Sequence, residues 1–143
     1  MINIVMNETS IKMSNRNSIT GDIYFQMGDS FFPELNWNDF IVVILSWWNK
    51  SIHLLEASAI GSSQDFDFMD GPFYVHVVKK DSLHLSLNFT QSKRTGSEVI
   101  ASMDTEFAQL KTSIADASRK VLKELYGRDW VTEDVIELEK EIK

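Results

Sequence analysis

Three histidines, one pair of aspartates and a scatter of serines are the side chains here with the means to do chemistry. His53, His76 and His84 all fall in segments whose alternation predicts strands. His76 and His84 flank the Lys80-Asp81 turn and are expected to project from the outer sheet face as cross-strand neighbours. Such a pair, with His53 or Glu56 as third ligand, has the residue types of a metal site. It lacks the short helical or loop spacing of zinc motifs, and histidines are ordinary on solvated strands. Asp65-Phe66-Asp67 sets two carboxylates on one strand face, about 7 Å apart, near the separation at which paired carboxyls divide acid and base work on a glycosidic bond. A solvated strand face has the same pattern, and no nucleophile or cleft is readable beside it. No serine sits in a Gly-x-Ser-x-Gly elbow, and neither a GxGxxG nor a GxxxxGK[ST] loop occurs. Lys93-Arg94 is isolated and too small for a phosphate-binding patch. The expectation is a protein without enzymatic activity, cofactor or metal.

Charge says more than motif. The chain carries a net −7, and the segment from Asn17 to Val78 accounts for all of it. Eight acids lie there (Asp22, Asp29, Glu34, Asp39, Glu56, Asp65, Asp67, Asp70) against Lys50 alone; the remainder is neutral. Such a half repels nucleic acid and attracts a basic protein, although scattered surface acids also serve solubility. The absence of cysteine excludes disulfides and thiolate chemistry. No signal-like leader opens the sequence, and the apolar run Phe40–Leu45 is too short to span a bilayer. A cytoplasmic protein with no membrane or nucleic-acid partner is expected.

The elements that must position these residues follow from periodicity. One α+β domain, 1–143, is expected, because 143 residues can bury a core and no linker divides them. Ile2–Met13 reads as one irregular strand or two short ones, Asn15–Ser18 as a turn, and Ile19–Met27 as a strand with Ile23, Phe25 and Met27 inward. Asn36–Lys50 has a strand-like composition, but Asn38, Asp39, Ser46, Asn49 and Lys50 share one arc of about 120° at helical spacing. It therefore reads as a largely buried helix, with Asn36 as N-cap and Asp39 in the first turn.

Four strands are expected next: Ile52–Ile60, Gln64–Met69, Phe73–Val78 and Leu83–Thr90. Asp70-Gly71-Pro72 turns between the second and third, and matching apolar faces require an odd loop, three residues being favoured, between the last two. Gln91–Ser97 reads as a polar loop. Ser102 or Asp104 opens a long helix whose apolar line is Met103, Phe107, Leu110, Ile114, Ala117, Val121 and Leu125, with Gly127 as its stop. Thr132 caps a short last helix, with Val131 and Ile136 placed as a hydrophobic staple. The predicted architecture is an antiparallel sheet of five to six strands, a buried helix after the second strand region, and the long helix packed on the sheet.

Phe31, Phe32, Trp37, Phe40, Trp47 and Trp48 cluster around the first helix. Most are expected to fill the core. The lead-in Phe31-Phe32, or Trp48, is the expected position of any apolar anchor ringed by acids, the composition of an interface hot spot. Phe32-Pro33-Glu34-Leu35-Asn36-Trp37-Asn38-Asp39-Phe40, then Leu45-Ser46-Trp47-Trp48 and Phe68-Met69-Asp70-Gly71-Pro72-Phe73, resembles small bacterial immunity proteins encoded beside contact-dependent or polymorphic toxins. The resemblance covers roughly residues 19–78. It implies a cytoplasmic protein that blocks a cognate toxin, and no residue role transfers with it. Nuclease toxins carry basic clefts, so Asp65, Asp67, Asp70, Glu34 and Glu56 are the expected toxin-facing residues. Two alternatives stand beside this: a small-ligand or metal-dependent enzyme domain using His76 and His84, and a homo-oligomer formed through the long helix.

Overall fold

The computed structural model describes residues 2–142. Four strands, β1 (Ile2–Met13), β2 (Ile19–Met27), β3 (Ser30–Phe32) and β4 (Asn38–Asp39), precede helix α1 (Ile41–Ala57). Then come β5 (Ser63–Asp67), β6 (Phe73–Lys79), β7 (His84–Lys93), β8 (Gly96–Glu106), α2 (Phe107–Gly127) and α3 (Glu133–Glu141). The α+β class is as expected, but the strands form two antiparallel sheets: β1-β2-β3 with β4 also on β2, and β5-β6-β7-β8.

One cluster of buried apolar side chains draws on both sheets and all three helices. Its seam is aromatic. Phe25 of β2 stacks edge-on to Phe68 and Phe89 and tilts against Trp48, while Phe32 meets Phe68, Phe73 and Phe89. Such edge-to-face rings bury large areas while keeping favourable quadrupole contacts. The helix α1 lies inside this arrangement, touching β2, β5, α2 and α3.

Helix α1 is displaced from its expected limits at both ends. Asn36 takes a left-handed backbone (φ 61°), and Asn38-Asp39 pair with Asp22 and Gly21 as a strand, so the helix begins only after Phe40. The expected strand Ile52–Ile60 is instead the end of α1, as far as Ala57, and the turn that follows it. Leu45, Trp48, Ile52 and Leu55 continue one buried line at spacings of three and four. The polar arc is also not the solvent face. Ser46 and Asn49 are buried, and Asn49 Nδ2 donates to the Leu45 carbonyl at 2.8 Å and to Ser118 Oγ of α2 at 2.9 Å. The helix ends against Lys79 of β6, whose Nζ donates to the carbonyls of Leu55, Glu56 and Ser58 at 3.0, 3.2 and 2.8 Å. A cation there adds to the single Ser58 N–H that reaches the Leu55 carbonyl and complements the negative end of the helix.

The β6–β7 hairpin has the expected odd connection. Lys80 N–H donates to the His84 carbonyl at 3.0 Å around Asp81-Ser82-Leu83, and Val75 and Val77 face Phe89 and Leu87. The expected polar loop 91–97 is instead the tip of a long hairpin, with Lys93 opposite Gly96. Consequently Ser102–Glu106 is strand, not helix: Met103 pairs with Leu87 and Thr105 with Leu85, and α2 starts at Phe107. The rest of the long stripe, Leu110 to Leu125, is buried as expected.

Gly127 is not the stop. It remains helical, and Asp129 makes the left-handed reversal (φ 59°) with Trp130 N–H donating to the Leu125 carbonyl and Asp129 N–H to that of Tyr126. That is a Schellman closure with aspartate at the position glycine prefers. Thr132 does cap α3, its Oγ1 accepting from Val135 N–H at 3.3 Å. Val131 and Ile136 stay nearly half exposed, so they close little apolar surface. Gly127→Ala is expected to raise stability by up to about 1 kcal/mol, and Asp129→Gly by several tenths. Both gains are measurable by urea unfolding; a loss from Gly127→Ala would contradict this assignment of the helix end.

Candidate functional site

The expected acidic residues separate into three environments. Glu56, at the end of α1, has both carboxylate oxygens at 2.9 Å from Lys111 Nζ of α2 and is neutralised there. Asp39, expected in a helical first turn, is 1% exposed and structural. Its carboxylate accepts from Trp37 Nε1–H (3.0 Å), Phe40 N–H (2.6 Å) and Asp70 N–H (3.1 Å). Through it the start of α1 is tied to the turn after β5. Gly71 (φ 93°) lies under the Trp37 ring, where an added Cβ would come within 3.0 Å.

The third environment is the exposed side of β5 and its turn. Asp65 and Asp67 stand side by side, Asp70 follows in the turn, and Glu34 lies in the loop that Trp37 packs onto that turn. The carboxylates of Asp67, Asp70 and Glu34 meet no cation among the described residues. Partial burial, and then the charge of Asp65, push the Asp67 carboxyl above its ordinary pKa.

Histidine geometry differs from expectation. Register places His76 opposite Asp65 and Asn88, while His84 faces Glu106 across β8, so the two histidines are not cross-strand neighbours. His76 Nδ1 lies 2.7 Å from Asp65 Oδ1. His84 Nδ1 is 3.0 Å from Asp81 Oδ1, which also accepts from Leu83 and His84 backbone N–H. Leu83 N–H, followed by the His84 side chain, holds the Asp81 carboxyl below the usual range. His53 lies on α1, not on a strand. No three His, Asp or Glu side chains among the described residues converge as metal ligands. The Asp65–His76 pairing was legible in principle, because a turn centred on Asp70-Gly71 sets those two residues opposite.

Of the expected apolar anchors, Trp48 and Phe32 are core, 0% and 3% exposed, while Phe31 is half-buried and meets Tyr24 edge-on. Trp37 and Trp130 are half-buried, and Trp47 is the most exposed tryptophan, at 37%. It lines an open depression of about 530 Å³ between α1 and β5, together with Lys50, Ser51, Gln64, Asp65 and Asp67. Lys50 is the one cation on this wall among the described residues, and it pairs with Glu137 and Glu141 of α3 at 3.3 and 3.8 Å. Sequence reasoning missed Trp47 because the polar arc was assigned to solvent; the 45-48-52-55 line would have placed it outside.

No family model matches the chain, and neither a curated protein nor a solved structure matches it. No helix among the described residues is long and apolar enough to cross a membrane.

Two consequences are measurable. Asp39→Asn sets an amide N–H₂ against donors that now meet a carboxylate, and is expected to cost about 2–4 kcal/mol in urea unfolding. For Asp67, a folded pKa above the unfolded one costs stability above both values and nothing below the unfolded one. Asp67→Asn is therefore expected to stabilise at about pH 7, with the gain gone by about pH 3. A gain that persists in acid would contradict the electrostatic cause.

Proposed function

We propose that this chain is an immunity-type protein that binds and neutralises a basic toxin through the acidic side of β5. The observation supporting this most directly is the Asp65–Asp67 pair, exposed on the edge strand of its sheet, with Asp67 raised by burial and by its neighbour. A carboxylate held near a like charge, with no cation of its own, gains when a partner supplies one. Asp70 and Glu34 extend the same negative surface toward the Trp37 loop, whereas Glu56 is committed to Lys111. Negative charge in this place also raises the rate of encounter with a positively charged cleft. Inhibition then requires only that the bound partner's cleft be covered. No reaction on this chain is involved.

Co-expression with the toxic product of the neighbouring gene is expected to restore growth. Asp65→Lys combined with Asp67→Lys is expected to slow association about tenfold or more at low salt, and less at high salt. Absence of rescue, or association indifferent to the double reversal, rules the reading out.

A further inference from the structure

The depression between α1 and β5 has a composition that points to one kind of visiting side chain. Its wall carries the exposed Trp47, and the carboxylates of Asp65 and Asp67 line the same hollow. An aromatic face attracts a cation through its quadrupole, and a carboxylate accepts a guanidinium's parallel N–H pair. Arginine answers both at once, because its planar head stacks on a ring while its edge hydrogen-bonds; a lysine ammonium is a compact point charge and does not stack.

We infer that Trp47, Asp65 and Asp67 form a receptor for an arginine side chain presented by a basic protein partner. Charge complementarity selects the occupant. Lys50, the only cation lining the hollow among the described residues, is drawn away by Glu137 and Glu141, so it does not neutralise Asp67. Asp67 has no side-chain partner among the described residues, and its carboxyl is raised by burial and by the neighbouring negative charge, the second of which a guanidinium offsets. Asp65 has one oxygen, Oδ1, engaged by His76 Nδ1, which fixes its carboxylate and leaves Oδ2 for a visitor. The two walls are also tied to each other: Trp48, next in sequence to Trp47, is fully buried and donates Nε1–H to the Asp67 carbonyl at 2.9 Å, fastening α1 to β5. An aromatic anchor beside acids on a fixed frame is what concentrates binding energy at protein interfaces.

This inference rests on the toxin-binding reading for its partner, but its test does not. The indole N–H resonance of Trp47, assigned with Trp47→Phe, is followed while the protein is titrated with the peptide acetyl-Gly-Arg-Gly-amide. Saturable movement of that resonance is expected, with a dissociation constant on the order of millimolar. The citrulline peptide, equal in shape and uncharged, is expected to leave the resonance in place. Asp65→Asn with Asp67→Asn is expected to weaken arginine binding about tenfold, and the lysine peptide to bind several-fold more weakly than arginine. No saturable movement with arginine, equal movement with citrulline, indifference to the double substitution, or equal binding of lysine overturns the assignment. Arginine binding without rescue in co-expression removes the toxin reading alone; rescue without arginine binding removes this inference alone.

Discussion

The buried carboxylate of Asp39 is the point on which the arrangement of this protein depends. It accepts from an indole, from the amide that opens α1, and from the amide of Asp70 in the β5–β6 turn of the other sheet. A charge taken out of water costs several kcal/mol unless such donors converge on it, and here three do. The same carboxylate therefore fixes where α1 begins and holds the β5–β6 turn against the first sheet. Because β5 carries Asp65 and Asp67, and α1 carries Trp47, the geometry of the exposed hollow is set from behind by this interior contact.

A second set of polar links does for the far ends what Asp39 does at the near one. Lys79 closes the last turn of α1 on β6, and Asn49 meets Ser118 between α1 and α2. Arg128, at the end of α2, donates to the carbonyls of Ile11 and Glu8 where the pairing of β1 with β2 is irregular, and lies 4.9 Å over the Trp130 ring. Hydrophobic burial supplies the bulk of the driving force, but it is indifferent to sliding. These directional contacts set the register of helix on sheet.

Legibility in the sequence followed the strength of local pattern. Strands with strict alternation and a defined turn, such as Phe73–Val78 and Leu83–Thr90, are readable with their loop parity and the inner faces of Val75, Val77, Leu85, Leu87 and Phe89, although Leu83 falls in the turn and is exposed. The buried stripe from Leu110 to Leu125 was equally plain. What failed had a non-local cause. Asn36 was a reasonable cap until its left-handed backbone and the pairing of Asn38-Asp39 with β2 are known. Met103 and Phe107 are spaced for a helix, and only the hairpin partner Leu87 makes Met103 a strand residue. At the candidate site the acids themselves were legible, whereas their sorting into buried, paired and free was not. That sorting depends on Lys111 and Glu137, more than forty residues away in sequence.

The proposed function requires that a basic partner cover the acidic side of β5. Amide hydrogen exchange of the chain, free and in complex with the proposed toxin, reads that surface directly. Slowed exchange is expected over residues 46–54 and 63–71, with the exposed edge strand β8, including Val99 and Ile100, unchanged. Protection confined to β8, with β5 and the outer side of α1 exchanging as in the free protein, contradicts the account.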